Sequence, residues 1–111
     1  MSWLQDLDVL VLGLGESGLA MARWCARHGA RVQVWDSRES APHDAAIEGL
    51  ATRLRGDLAP ALAAEVKLVL KSPGLAPHDA RIAPLLEAAT QCGVRVMGEL
   101  GLFTRALVDL A

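Results

Sequence analysis

The chain has 111 residues, with 11 Lys and Arg against 13 Asp and Glu, so its formal net charge is −2. This length suits one domain, and a content of 52% hydrophobic and 22% charged residues argues against intrinsic disorder. The slightly acidic balance argues against a nucleic-acid partner, two cysteines are too few for a disulfide scaffold, and every apolar run is too short to cross a bilayer. We therefore expect a soluble, cytoplasmic domain with neither a nucleic-acid nor a membrane partner.

Strand and helix patterns alternate about five times along the chain. The short apolar runs that predict strands are Asp8–Leu12, Arg31–Trp35, Thr52–Arg55, Val66–Leu70 and Val94–Met97. The segments that predict helices are Leu19–His28, His43–Leu50, Ala59–Ala64 with Asp57 as its cap, Pro84–Gly93, and a last amphipathic helix with Leu100, Phe103, Leu107 and Leu110 on one face. This alternation predicts an α/β fold: a Rossmann-like, five-stranded, mainly parallel sheet with helices on both faces.

A parallel sheet of this kind binds its ligands beyond the carboxyl ends of the strands, where the strand order reverses. The functional residues should therefore follow Leu12, Trp35, Leu70 and Met97 directly. After Leu70, the pair Pro73-Gly74 predicts a tight turn in which the glycine takes a left-handed conformation.

A glycine-rich loop follows the first predicted strand. Gly13, Gly15 and Gly18 form a complete G-x-G-x-x-G between a strand and a helix, which is typical of phosphate binding at a helix N-terminus. Ser17 adds a hydroxyl, as a helix cap or as a donor to a phosphate oxygen. Glu16 would repel a diphosphate, so its side chain should point outward and leave only its N–H toward the ligand. A tight βα turn without a ligand is the alternative interpretation.

The second predicted strand ends at Asp36, which is 23 residues after Gly13. An acidic residue at this place accepts hydrogen bonds from the adenosine ribose in dinucleotide-binding folds. Arg38 could cover a flat base or pair with Asp36, and Trp35 could lie behind that base. The loop and Asp36 together therefore also fit an NAD(H)-binding domain, while a module that keeps the fold without a nucleotide is a third possibility.

Four segments, in this order and at this spacing, resemble the N-terminal domain of the Mur ligase family. They are Val11-Leu-Gly-Leu-Gly-Glu-Ser-Gly18, Trp35-Asp-Ser-Arg38, Lys71-Ser-Pro-Gly74 and Gly98-Glu-Leu-Gly-Leu-Phe103. The resemblance covers essentially the whole chain and is strongest to the branch of the family that adds D-glutamate. It implies one domain, residues 1–111, that binds the UDP portion of UDP-N-acetylmuramoyl-L-alanine in peptidoglycan synthesis.

The resemblance also assigns the binding residues. It implies that Gly15, Glu16 and Ser17 meet the diphosphate, that Asp36, Ser37 and Arg38 surround the uracil, and that Ser72 and Gly74 close the other side of the pocket. The role of Glu99 in the last motif stays open, because a charge in the first turn of a helix explains it equally well.

The catalytic parts that the family pattern requires are missing from this sequence. No G-x-x-x-x-G-K-[ST] phosphate loop for ATP is present, and the resemblance places ATP, Mg²⁺ and the incoming D-glutamate on a central and a C-terminal domain. We therefore expect a first domain that holds the nucleotide, has no cofactor of its own and cannot catalyse ligation alone.

The remaining reactive side chains have simpler explanations. Cys25 and Cys92 fall in predicted helices, where buried free cysteines act as small core residues. His28 lies at a predicted helix end, and His43 and His78 follow prolines in predicted loops. None of the histidines has metal-ligand spacing with a cysteine or a carboxylate, so we expect no metal site.

Overall fold

A computed structural model describes residues 3–110, apart from the side chains of residues 106 and 108–110 in the last helix. The strands are β1 (Asp8–Leu12), β2 (Arg31–Trp35), β3 (Thr52–Leu54), β4 (Leu68–Lys71) and β5 (Arg95–Met97). The α-helices are α1 (Glu16–Arg27), α2 (Ala83–Gln91) and α3 (Glu99–Leu110), and two 3₁₀ helices cover Ala45–Ile47 and Pro60–Glu65.

The five strands form one parallel sheet in the order β3-β2-β1-β4-β5. From β1 the chain moves outward through β2 to β3, and then crosses back to β4 on the other side of β1. The strand order therefore reverses at the carboxyl end of β1, which is where ligands of such sheets bind. The predicted α/β fold with a five-stranded parallel sheet is confirmed.

Alternating side chains of β1 explain why the sheet has a helix layer on each face. Val9 and Val11 face a core that includes α1 and Leu102 of α3. Leu10 and Leu12 face a second core built with α2 and the 3₁₀ helix Pro60–Glu65. These four side chains are fully buried, which is why the strand reads as an unbroken apolar run rather than an alternating one.

Two predicted helices are 3₁₀ helices, and one of them is also shorter than expected. The segment predicted as His43–Leu50 forms only one 3₁₀ turn, Ala45–Ile47, and the second 3₁₀ helix begins after Ala59 rather than after a cap at Asp57. The prediction that Asp57 caps this helix is wrong, because Pro60 at the start of the helix fixes the backbone without a side-chain cap.

The apolar face predicted for the last helix is also wrong in part. Leu100 is 82% exposed and Leu107 is 69% exposed, whereas the helix buries Leu102 completely. Phe103 contacts Trp24 of α1 edge to face, with ring centroids 5.5 Å apart. The helix therefore turns the side of Leu102 and Phe103 to the core, and the side chain of Leu110 lies outside the described residues.

The two cysteines differ in environment. Cys25 belongs to α1 and is fully buried in the core, and this burial raises the pKa of its thiol to about 12. Cys92 caps the end of α2 and is exposed, so the expectation of a core residue holds for Cys25 and is wrong for Cys92. None of the described helices is long and apolar enough to span a membrane.

Candidate functional site

A groove of about 360 Å³ opens at the carboxyl ends of β1, β2 and β4. All eight binding residues predicted from the sequence line it, namely Gly15, Glu16, Ser17, Asp36, Ser37, Arg38, Ser72 and Gly74. Three separate loops thus converge because the carboxyl ends of parallel strands meet at one edge. We call this groove the switch-point groove.

The glycines of the first loop have three different structural roles. Gly13 has φ +95°, a left-handed conformation that favours glycine. A Cβ on Gly18 would lie 1.8 Å from the carbonyl oxygen of Gly13, so helix and strand can pack this closely only without a side chain. A Cβ on Gly15 would meet no protein atom within 4 Å. Since the fold leaves space at Gly15, the absence of a side chain there keeps the groove open.

Helix α1 presents its N-terminus to the switch-point groove. Gly15 is the N-cap and supplies no side chain, and the first N–H groups of a helix have no carbonyl partner within it. Glu16 is exposed, as predicted from the repulsion that a diphosphate would exert on it. This end of the helix therefore offers backbone N–H groups and the positive end of a dipole to an anion.

Ser17 does not cap the helix, because it lies inside the first turn. Its Oγ is buried and has no hydrogen-bond partner among the residues that the structure describes. Since an unpaired buried hydroxyl costs free energy, rotation of this side chain toward the groove would let a phosphate oxygen satisfy it. The cap prediction for Ser17 is wrong, and the donor prediction remains.

Asp36 joins the glycine loop to the loop after β2. Its Oδ2 accepts from the Leu14 N–H at 2.8 Å and from Arg38 Nη2 at 2.8 Å. Its Oδ1 accepts from the N–H and from Nε of Arg38, both at 2.9 Å. The carboxylate is only 4% exposed, and the Arg38 guanidinium holds its pKa well below the usual range despite burial.

Arg38 keeps one part of its side chain free for a ligand. Its guanidinium edge is occupied by Asp36, which raises the pKa of the arginine, but the side chain remains 51% exposed. A planar guanidinium fixed at its edge can still cover a flat base with its face. The predicted pair with Asp36 is therefore confirmed, and the contact of Arg38 with a flat base stays a prediction.

Arg53 is a residue that the sequence analysis missed. It extends from β3 with a side chain that is only 8% exposed and pairs with Asp44 at 2.7 Å. Its Nη2 donates to the carbonyl oxygen of Arg38 at 2.6 Å, and its Nη1 donates to that of Asp36 at 3.3 Å. Arg53 therefore fixes the backbone of the loop 36–38 through these two carbonyl oxygens. Only the pairing of β3 with β2 brings this arginine to the loop.

The loop after β4 closes the other side of the groove. Ser72 Oγ donates to the carbonyl oxygen of Gly13 at 3.3 Å, and the Leu75 N–H donates to that of Ser72 at 3.1 Å. The predicted turn at Pro73-Gly74 is therefore confirmed, but Gly74 is not among the glycines with positive φ, so its predicted left-handed conformation is wrong. Lys71 Nζ donates to the carbonyl oxygens of Ser72 and Leu75 at 3.2 and 2.6 Å and braces this turn.

Trp35 also lines the switch-point groove. It is 2% exposed, and its indole N–H donates to the carbonyl oxygen of Gly56 at 2.9 Å. By contrast, Gly98 and Glu99, which follow β5, are not among the lining residues. The expectation that functional residues follow Met97 as well is therefore not supported. The reason is that β5 is an outer strand of the sheet, separated from β2 by β1 and β4.

A second groove of about 630 Å³ lies at the opposite edge, beside the amino ends of β1, β2 and β3. It is larger, but its described lining residues include neither the N-terminus of an α-helix nor any part of the G-x-G-x-x-G loop, and a parallel sheet binds its ligands at the other edge. Among the described residues, no three His, Cys, Asp or Glu side chains are grouped so as to hold a metal ion. The switch-point groove is therefore the candidate site.

Residues 7–98 match the family model described as the Mur ligase MurD-like, N-terminal domain. The chain belongs to this family. The resemblance found in the sequence is thus confirmed, and the switch-point groove is the candidate site of a MurD-like N-terminal domain.

Curated relatives of this MurD-like domain are named UDP-N-acetylmuramoylalanine--D-glutamate ligase. The one from Albidiferax ferrireducens is 52% identical over 115 residues, covering 99% of this chain and 22% of its own length. The one from Ralstonia nicotianae is 54% identical over 105 residues, covering 92% of this chain and 21% of its own. The chain therefore spans about a fifth of the length of the relatives it matches.

A solved structure with the same fold is a pseudomurein peptide ligase type C from Methanothermus fervidus. It superposes with a TM-score of 0.66 at 18% sequence identity, covering 83% of this MurD-like domain and 19% of that chain. At this identity the likeness establishes the fold.

Proposed function

We propose that this MurD-like domain binds the UDP portion of UDP-N-acetylmuramoyl-L-alanine for a ligase that adds D-glutamate to it. The observation that carries the proposal is the convergence of the three predicted loops on the switch-point groove. The relatives that carry UDP-N-acetylmuramoylalanine and D-glutamate in their name support the choice of substrate.

The diphosphate is proposed to lie on the N-terminus of α1. Gly15 leaves room for it, the N–H groups of the first turn face it, and the Ser17 hydroxyl completes the contact. Helix N-termini with such loops favour anions because unpaired N–H groups and the helix dipole act together.

The uracil is proposed to lie between the loops 36–38 and 72–74. Ser37 supplies a hydroxyl, the face of the Arg38 guanidinium covers the ring, and Gly74 closes the opposite side without a side chain. Asp36 acts here by shaping the loops, because each of its oxygens already accepts two hydrogen bonds.

The same observation disfavours the dinucleotide alternative. A carboxylate offers about four acceptor positions, and at Asp36 Leu14 and Arg38 occupy all four. No acceptor position is then left for the hydroxyls of an adenosine ribose, which is what an acidic residue at this place supplies in NAD domains.

In the proposed reaction, this domain positions the substrate and does not carry out the chemical step. ATP, Mg²⁺ and D-glutamate would be held by other domains of the complete ligase. Binding the UDP end places the distant carboxylate of the substrate by using binding energy remote from the reacting atoms.

Amide NMR titrations with UDP and with NADH test the proposal. We expect UDP to bind saturably and to shift the amide signals of residues 15–17 and 36–38. Saturable binding of NADH with a spectrum unchanged by UDP would overturn it, and unchanged spectra with both would favour a module without a nucleotide.

Two substitutions locate the diphosphate. Gly15→Ala leaves the fold intact, because the new Cβ meets no protein atom. The methyl group should clash with the diphosphate and weaken the binding free energy by about 1–3 kcal/mol, which is a loss of about 5- to 150-fold in affinity. Ser17→Glu should abolish binding by charge repulsion with an unchanged circular dichroism spectrum.

The matched controls are Gly101→Ala and Thr104→Glu on α3. A Cβ on Gly101 makes only ordinary contacts with Met97, and neither position lines the groove. Both variants should keep the affinity for UDP. Equal affinities of Gly15→Ala and Gly101→Ala would show that the diphosphate is not at this helix.

A further inference from the structure

The segment before α2 reaches across to the base end of the switch-point groove. Arg81 Nη1 donates to Ser37 Oγ at 2.9 Å, joining residues that are 44 positions apart. Ser37 lines the groove, whereas neither Arg81 nor its partner Asp79 is among the lining residues. The sequence analysis gave Arg81 no role.

Asp79 holds Arg81 through three hydrogen bonds, although the arginine side chain is 55% exposed. Its Nε donates to Asp79 Oδ1 at 3.0 Å and its Nη2 donates to Oδ2 at 2.7 Å. The Arg81 N–H donates to Oδ1 of the same carboxylate at 2.9 Å, and the next residue, Ile82, is fully buried in the core. With Nε and Nη2 fixed by Asp79, Nη1 is the nitrogen left to face Ser37.

The direction of the hydrogen bond follows from the chemistry of the two groups. A guanidinium only donates, whereas a hydroxyl has one proton and two lone pairs. Ser37 Oγ therefore accepts from Arg81, and its own proton is available for a different acceptor. We place the 4-position of the base beside this hydroxyl, so that the acceptor is the oxygen at that position. Uracil has a carbonyl at its 4-position, while cytosine has an amino group there.

We propose that Arg81 is a positioning residue that biases the Ser37 hydroxyl to donate, and thereby favours a uridine over a cytidine nucleotide. The inference rests on the proposed function, since it assumes that the base lies at Ser37. Asp79 is the residue that fixes Arg81 for this role, and its pKa is lowered to about 2, chiefly by the hydrogen bond with Arg81. The carboxylate therefore stays ionised at neutral pH.

The test compares affinities for UDP and CDP by isothermal titration calorimetry. Arg81→Gln should weaken UDP binding by about 2- to 10-fold, the effect of one net hydrogen bond, with a much smaller change for CDP. The ratio of the two affinities should therefore fall. Ser37→Ala should lower the ratio of the affinities for UDP and CDP similarly. The double variant should show no lower ratio, because both changes remove the same interaction.

Two further variants separate orientation from general structure. Asp79→Asn keeps Arg81 but loosens its position, so it should lower the UDP to CDP ratio with an unchanged thermal midpoint. Arg95→Gln alters an exposed arginine at the amino end of β5 and should change neither affinity. A purely structural role of Arg81 would weaken both nucleotides equally.

The outcomes also separate this inference from the proposed function. If the unaltered protein binds UDP and Arg81→Gln keeps the original ratio, or if the single effects add in the double variant, the role of Arg81 is refuted while UDP binding stands. If the unaltered protein binds no UDP, the proposed function fails and the inference fails with it.

Discussion

Replacing the carboxylate of Asp36 is the strongest single test of how the loops around the switch-point groove are held together. Asp36→Asn replaces one of its two oxygens with an NH₂ group, while the four N–H donors around it stay in place. In either orientation of the amide, two of these donors then face another donor. Two hydrogen bonds are therefore lost.

The structure allows an estimate of the resulting loss of stability. Hydrogen bonds to a charged group contribute about 1.5–3 kcal/mol each, so two of them amount to about 3–6 kcal/mol. Water can replace part of the loss, because the Arg38 side chain is half exposed. We therefore expect the free energy of unfolding to fall by about 2–4 kcal/mol, which leaves a domain of ordinary stability folded.

Urea denaturation followed by tryptophan fluorescence measures this change. With a slope of about 1.5 kcal/mol per M, the midpoint should fall by about 1.3–2.7 M and the slope should stay constant. The matched control is Asp8→Asn, since Asp8 also binds one arginine through both oxygens, Arg31 at 2.7 and 3.1 Å.

The control differs from the test variant mainly in exposure. The Asp8 and Arg31 side chains are 41% and 62% exposed, and exposed ion pairs contribute little to stability. Asp8→Asn should therefore leave the midpoint almost unchanged. Equal midpoints for Asp36→Asn and Asp8→Asn would refute the idea that the buried carboxylate holds the two loops together.

Three further predictions concern pH, thiol reactivity and packing. Because the pKa of Asp36 is lower in the folded state than in the unfolded chain, its contribution should be complete above about pH 4. This stabilisation should be lost as the pH falls through the pKa that Asp36 has in the folded protein. Urea midpoints measured at decreasing pH should show the loss, and an equally steep decrease of the midpoint in Asp36→Asn would contradict the prediction. Iodoacetamide at pH 8 should label the exposed Cys92 and spare Cys25, whose pKa is raised to about 12 by burial, whereas mass spectra with equal labelling would contradict the buried position. Gly18→Ala should destabilise the fold by about 3 kcal/mol or more, because the new Cβ meets the backbone of Gly13, and a urea midpoint equal to that of the unaltered protein would show that this close approach is absent.

The local features of the site could be predicted from the sequence because each depends on neighbouring residues. The strand Asp8–Leu12 and the strand Arg31–Trp35 have the predicted bounds, and the glycine loop lies between a strand and a helix as its spacing indicated. All eight predicted binding residues line one groove. Their assignment to parts of the nucleotide stays a prediction, which the titrations test.

The errors occurred where packing between distant segments decides the result. Helical periodicity placed Leu100 and Leu107 on one apolar face, but the contact of α3 with α1 buries Leu102 instead. Pattern alone could not choose between two adjacent stripes of leucine on the same helix. The 3₁₀ turn at Ala45–Ile47 is likewise shorter than the segment that favoured a helix.

Order of elements, fold class and the position of the candidate site were determined by the sequence itself, since periodicity and turn residues act within a few positions along the chain. The tertiary structure alone decided which charged side chains support that site. Arg53 and Arg81 reach the loop after β2 from segments more than a dozen residues away. Such contacts depend on strand order and on the exact approach of side chains across the sheet, which no local pattern encodes.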